Sequence, residues 1–288
     1  MKTILVATDF SDASHNAFLY AAQLAKSFNA GIILFNAYEP APVPVSEIPI
    51  PILTYEEMET RTQQLMENEK QLPGIDNQIA VETFYKPGKV TANILQAVKE
   101  KKADLIITGM KRTTAVSRLF GSTVTALAKK LPVPMLVIPE ETPFKELSAI
   151  ALAVETDAAP DSDPHLLDVL REMGERFHAK LYLVKAVNNR FQESYEVLNR
   201  PVKINKMVRT MDPAFEFVEG KDIPQALNGF ISSYNVNLLA LLPHQHALWS
   251  RWFYNSITRA MIFESHIPLL IIPEQHKNSI SVDHDQHY

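Results

Sequence analysis

Apolar residues in the first half of the chain fall into two patterns, short unbroken runs and longer runs spaced at helical intervals. Thr3–Thr8 is a continuous run closed by Asp9, which predicts a buried strand, and Ser11 or Asp12 then supplies a helix N-cap. Ala17, Tyr20, Ala21, Leu24, Ala25 and Phe28 share one helical face, and Ile32–Phe35 is the next apolar run, so the opening reads strand, helix, strand. The proline-rich stretch from Glu39 to Pro51 suits neither helix nor central strand and predicts an excursion loop. A polar helix over Tyr55–Gln71 follows, then a strand at Ile79–Tyr85, a turn at Lys86-Pro87-Gly88, and a helix carried by Ala92, Ile94, Leu95 and Val98. Met58, Leu65, Met66 and Leu72 on the polar helix have the spacing of a face packed on its own sheet, with partner binding as the alternative.

The stretch from Asp104 to Pro139 closes this half. It predicts a strand at Leu105–Thr108, a turn at Gly109, a basic loop, a helix entry at Gly121-Ser122-Thr123, an amphipathic helix and a last strand ending at Pro139. Five strands and four helices in strict alternation predict an α/β fold with a mainly parallel sheet covered on both faces.

The second half repeats the first. Phe28-Asn29-Ala30 before a strand recurs as Phe177-His178-Ala179 before Leu181–Val184, and Gly88 with its helix recurs as Gly220 before Ile223–Tyr234. Gly121–Pro139 lies over Asn255–Pro273 at a constant offset of 134, which puts Ser122 on Ser256 and Pro134 on Pro268. A repeat of this length is a duplicated domain rather than a solenoid unit. The expected domains are 1–140 and 145–274, joined near Glu140–Lys145 and followed by a polar tail over 275–288.

Composition narrows the function classes. The 288 residues are ample for two cores, and 46% apolar with 21% charged residues is ordinary for a globular protein. A net charge of −5 gives no reason to expect nucleic acid as a partner. There is no cysteine, which removes disulfides, thiolate nucleophiles and Cys-ligated metals and fits a reducing compartment. The run after Met1 is too short for a signal peptide or membrane span, so the expected location is the cytoplasm, with no membrane partner.

With these residues in view, ILVATDFS at the start and strand–Gly–loop–Gly-Ser followed by VPMLVIP resemble the universal stress protein family, repeated twice over nearly the whole chain. The resemblance implies an adenine-nucleotide alpha-hydrolase-like fold in each domain, a five-stranded parallel sheet of order 3-2-1-4-5. It also implies that Val133–Ile138 pairs with Pro268–Ile272, making an intrachain pseudo-dimer, with a homodimer of such chains and unidentified protein partners as further expectations. In ATP-binding members a first-strand Asp sits near adenine and ribose, and a G-x-x-G-x9-G-S/T loop wraps the phosphates.

Carried over by position, Asp9 is the base- and ribose-proximal acid, with Ala7 and Thr8 lining the same strand end. Ala7 stands where a proline is usual. Gly109 matches the first loop glycine, Gly121 and Ser122 the closing pair, and Thr123 gives the next amide. Arg112 replaces the second glycine, and the segment from it to Gly121 is one residue short of the family spacing. If that position needs a positive φ, a non-glycine residue there costs about 1–2 kcal/mol. Arg112, Lys111 and Arg118 read either as replacement phosphate contacts or as a solvated basic loop.

In the second domain Asp157 stands in for Asp9, but the loop after Leu238–Leu242 is Pro243-His244-Gln245-His246 and holds no glycine. Asn255 replaces Gly121, and Trp249, Trp252, Phe253 and Tyr254 crowd the segment, so no nucleotide is expected there and Ser256 is a helix cap. His244 and His246 have metal-like spacing without further placed ligands, and the expectation is no metal site. No G-x-S-x-G elbow or cysteine anchors a catalytic triad, so no catalytic residue is assigned. The expected function is regulatory binding in the stress response with ATP, and Mg2+ if ATP is bound, in domain 1 only. The alternatives are a nucleotide-free scaffold and, third, a slow ATPase.

Overall fold

Continuous apolar runs become strands buried on both faces, and the helical-period runs become the helices that cover them. The computed structural model describes residues 1–39, 54–111, 122–128, 130–154, 165, 167–187, 202–220, 222–242, 260–261 and 265–273. The first half runs β1 (Thr3–Ala7), α1 (Asp12–Phe28), β2 (Gly31–Tyr38), α2 (Tyr55–Lys70), β3 (Val81–Pro87), α3 (Val90–Lys101), β4 (Leu105–Met110), α4 (Ser122–Ala128) and β5 (Met135–Pro139). The second half runs β6 (Ala149–Ala153), α5 (Asp168–Phe177), β7 (Lys180–Val187), α6 (Val202–Val208), a 3-10 turn at Arg209–Met211, β8 (Ala214–Glu219), α7 (Ile223–Ser233), β9 (Leu238–Leu241) and β10 (Leu269–Ile271).

These strands form a single ten-stranded sheet of order β3-β2-β1-β4-β5-β10-β9-β6-β7-β8. All pairs are parallel except β5 with β10, where Leu269 faces Val137, Leu270 faces Leu136 and Ile271 faces Met135. Each half therefore has the order 3-2-1-4-5, and the two meet through their last strands. Alternate residues of β1 enter different cores: Ile4 and Val6 belong to the one that α1, α2 and α5 cover along the sheet, and Leu5 to the one that α3, α4 and α7 cover. The aromatic pairs Phe28–Phe177 and Phe144–Phe177 tie the halves together on the α1 face, at centroid distances of 6.0 and 6.2 Å.

The repeated Phe-Asn/His-Ala signature has a local cause. Asn29 and His178 both take left-handed backbone, with φ of 50° and 53°, and the next residue's N–H reaches back to Ala25 O or Gly174 O at 2.9 Å. That reverse bond ends α1 and α5 and turns each chain into its next strand.

Some boundaries differ from the sequence pattern. Lys86 and Pro87 complete β3, paired with Ala37 and Tyr38, and the turn falls on Gly88 alone at φ 108°. Gly109 is not a turn residue. It lies inside β4 opposite Ile138, because pairing with β5 continues to Met110. Met58 and Leu65 of α2 are half-buried and Met66 is buried, and the helix packs on β2 and β3, as expected of a core-facing stripe. The rest of the proline-rich excursion, 40–53, and the tail over 274–288 lie outside the described residues.

Candidate functional site

In the first half the chain moves outward from β1 to β2 and β3, then returns to the other side of β1 for β4 and β5. The carboxyl ends of β1 and β4 are thus the topological switch point, where the connecting loops diverge and leave an opening. Thr8 and Asp9 leave β1 at this point, and Lys111, exposed, leaves β4 beside it.

The turn from β1 into α1 is held by its own side chains. Thr8 Oγ1 accepts the Phe10 N–H at 3.0 Å, and Asp9 Oδ1 accepts both the N–H and the hydroxyl of Ser11, at 3.1 and 2.5 Å. Of the two candidate caps, Ser11 is the one used, accepting the Ser14 N–H at 3.3 Å. Between them Phe10 has φ 63°, a left-handed conformation that costs a bulky side chain about 1–2 kcal/mol. Asp9 itself is exposed. Desolvation pushes its carboxyl up, but the bonds from Ser11 and Ser14 outweigh it and hold the group below its ordinary value. Asp9 is therefore an anion facing the opening, fixed in position by the first turn of α1.

Beneath it lies a polar cluster that the sequence pattern did not single out. Glu69, at the end of α2, is 3% exposed. Its Oε2 lies 2.9 Å from His15 Nε2, and its Oε1 accepts the Thr8 hydroxyl at 3.4 Å. The same Thr8 proton has Ser14 Oγ as a rival acceptor at 3.1 Å, while Ser14 donates to Ser11 O at 2.9 Å. Asn36 Nδ2 donates to Thr8 O at 2.8 Å and completes the buried end of β1. Burial pushes the Glu69 carboxyl up, Asp9 adds to the rise, and His15 and Thr8 oppose it; the balance is upward. The signal in the sequence was faint, a His four residues after the Ser11 cap and one Glu among several in a polar helix.

The upward shift has a consequence for stability. A carboxyl whose folded value exceeds its unfolded one, near 4.5, contributes stability below that pH and loses it as pH rises through the folded value. Glu69→Gln, which cannot ionise, should therefore gain in melting temperature relative to the parent as pH is raised above about 4.5. Thermal melts of both proteins from pH 4 to 8 check this, and a variant-minus-parent difference in melting temperature that stays flat or falls as pH rises contradicts it.

Gly109 is needed for a reason other than a turn. A Cβ built there would stand 2.1 Å from Ala13 O and 2.7 Å from Ser14 N, so β4 and the first turn of α1 touch backbone to backbone. Of the other sequence candidates, Ala7 ends β1 half-buried, Thr8 is buried, Thr123 is half-buried in α4, and Ser122 is its first residue. Arg112, Arg118 and Gly121 lie outside the described residues, so Asp9, Thr8, Gly109 and Lys111 are the candidates gathered at the opening.

The second half has the same strand plan with different residues. Val154 N–H bonds Val184 O at 2.9 Å as Thr8 N–H bonds Phe35 O at 2.9 Å, which puts Val154 at the Thr8 position and buried Lys185 at that of Asn36. Counting two residues on from Ala153 in the sequence, as Asp9 is two on from Ala7, reaches Glu155, whereas the sequence comparison sets Asp157 against Asp9. Both residues lie outside the described ones, as do His244, His246, Trp249, Trp252, Phe253, Tyr254, Asn255 and Ser256. Among the described residues no group of three or more His, Asp or Glu side chains is placed to hold a metal, and no helix is long and apolar enough to cross a membrane.

Comparison with known proteins decides the family. The model of the universal stress protein family matches residues 1–139. The universal stress protein in the QAH/OAS sulfhydrylase 3'region of Thermus aquaticus is 31% identical over 138 residues, 48% of this chain and 98% of that protein. The chain belongs to the universal stress protein family. A solved universal stress protein from Archaeoglobus fulgidus superposes over 94% of this chain and 97% of its own, with a TM-score of 0.71 at 12% identity. A Pseudomonas aeruginosa protein of unknown function superposes over 95% of this chain and 93% of its own, with a TM-score of 0.58 at 12% identity. At that identity the two structures share a fold, and they share it across both halves. This universal stress protein places Asp9 at the switch point, with His15 and Glu69 paired beside it.

Proposed function

We propose that this universal stress protein is a regulatory binding protein of the stress response that takes an adenine nucleotide at the carboxyl edge of β1 and β4. The observation that carries the reading is Asp9, an exposed carboxylate fixed by Ser11 at the switch point of the first half. A carboxylate there suits the ribose hydroxyls and base of a nucleotide, since it accepts hydrogen bonds and repels phosphate. Ala7 and Thr8 line that end. The phosphates then belong on the β4 side, toward Lys111; Arg112, Gly121, Ser122 and Thr123 follow it in the sequence as the further candidates, and Mg2+ would accompany ATP. The role is binding without turnover. A buried valine at the Thr8 position and the glycine-free loop after β9 favour a second half without nucleotide. The absence of cysteine and of a membrane-crossing helix among the described residues supports a cytoplasmic setting.

One observation favours a second reading, a nucleotide-free scaffold acting through protein partners. Gly109 is accounted for by its contact with α1 whether or not a phosphate binds.

Thermal melting with and without excess Mg-ATP separates the two. Ligand at one hundred times its Kd adds about 2.7 kcal/mol, a shift of several degrees for a chain of this size. The expected result is a shift in the parent that is lost in Gly121→Trp and reduced in Asp9→Ala. No shift at millimolar Mg-ATP favours the scaffold, and phosphate release above background that disappears in Asp9→Ala favours the ATPase.

A further inference from the structure

We propose that His15 and Glu69 form a proton-binding pair that makes the affinity of the first-half site for anionic adenine nucleotides rise as pH falls. This rests on the nucleotide reading above. The geometry is that of a unit: Nε2 of His15 lies 2.9 Å from Oε2 of a carboxylate that is almost wholly buried, and Thr8 links that carboxylate to the strand end carrying Asp9.

The two helices that bring the pair together are set in place by different forces. α1 presents His15 one turn after the Ser11 cap, with the imidazole half-exposed at the rim of the opening. α2 reaches the same edge from the far strands: near its start Glu59 and Tyr55 lie by Tyr38, and near its end Glu69 meets Thr8 and His15. Met66, 1% exposed and three residues before Glu69, anchors that end of α2 in the core. The carboxylate is thus delivered into a buried position where bulk water cannot solvate its charge.

An imidazole against a buried carboxylate titrates as a pair, not as two separate groups. With one proton between them the pair is neutral; when that proton is lost it carries a full negative charge close to Asp9. Among the described residues the groups around it do not offset that charge. β1 contributes Thr8 and Asp9; the first turn of α1 contributes Ser11, exposed Asp12 and Ser14; β2 contributes Asn36, which is uncharged; and β4 ends in Met110 and exposed Lys111. Glu59 and Tyr85 both interact with Tyr38, toward the opposite end of α2. Among the described residues at this edge Asp9, Asp12 and Glu69 stand against Lys111, and proton gain at the pair relieves a phosphate-bearing ligand of one repulsive charge. By linkage, the same ligand draws a proton onto the pair when it binds.

The test is isothermal titration of the full chain with ATP and with uncharged adenosine, at pH 6, 7 and 8, in buffers of different ionisation enthalpy. Parent, His15→Gln and Glu69→Gln are compared, each first shown by thermal melting to be folded. Subtracting the variant's profile cancels the titration of ATP itself. The expected result is that the parent gains about tenfold more ATP affinity than either variant between pH 8 and pH 6. It should also take up more protons on binding ATP, whereas the corresponding difference for adenosine should be nearly flat. ATP binding whose pH profile is the same in parent and variants overturns the inference and leaves the nucleotide site standing. Absence of ATP binding at every pH overturns both. A pH slope of equal size for adenosine also overturns it, since that assigns the pair a structural role.

Discussion

Replacing Gly109 with valine is expected to destabilise the protein more than any exposed substitution and to lower its melting temperature by ten degrees or so. The first atom added would stand 2.1 Å from the carbonyl oxygen of Ala13 and 2.3 Å from its carbon, both backbone atoms of the first turn of α1. A side chain in the way could change rotamer, but here the helix itself must move off β4. Overpacking a core typically costs about 1–3 kcal/mol, and an obstruction by main chain belongs at or above the upper end. At about 2–4 °C per kcal/mol for chains approaching this size, the shift is large and easily read in a thermal melt. Gly229→Ala is the control: nothing lies within 4 Å of a Cβ there, and it falls inside α7. That change should be neutral or raise stability by about 0.4–1 kcal/mol. If Gly109→Val melts with the parent, the backbone contact is not what requires the glycine.

The second large effect belongs to the seam between the halves. Leu136 and Leu270 face each other across β5 and β10, at 1% and 0% exposure. Each leucine truncated to alanine should cost about 2–5 kcal/mol through lost burial and the cavity left behind. Because the two are cross-strand neighbours, the double variant should depart from additivity by about 0.5–3 kcal/mol. Denaturant titrations of the four proteins give both quantities, and strict additivity would mean that the residues do not share a contact. The seam is antiparallel within an otherwise parallel sheet, so its loss exposes two central strands at once.

Why some of this could be read from the chain and some not follows from the range of each interaction. Continuous runs such as Leu105–Thr108 and helical stripes such as Ala17 to Phe28 are local, and burial on both faces of a parallel sheet leaves them little choice of structure. The offset of 134 between Pro134 and Pro268 carried the second half's last strand by analogy with the first. Gly109 was misread as a turn because a glycine after an apolar run has that local meaning, whereas its actual constraint comes from α1, nearly a hundred residues earlier. The match of Asp157 to Asp9 rested on the sequence alone, and a slip of two residues in such a count stays invisible until strand register, here Ala153 opposite Val184 as Ala7 is opposite Phe35, gives the point to count from.

The site divides the same way. Asp9 stands out because it closes a strand with a polar residue at a helix entry, a signal contained in four residues. His15 and Glu69 are 54 positions apart in sequence, and nothing in either neighbourhood marks them. They become partners only when α2 crosses to the end of β1, and what points to a role is the burial of a carboxylate, which no pattern of residues displays.

The central claim is that the carboxyl edge between β1 and β4 holds the nucleotide, and hydrogen exchange with and without saturating Mg-ATP tests it most directly. The account predicts slowed exchange in peptides covering Thr8 to His15 and the end of β4 at Gly109 to Lys111, with no change around β9, Leu238–Leu241. Protection confined to the second half, or none anywhere at millimolar Mg-ATP, would contradict it.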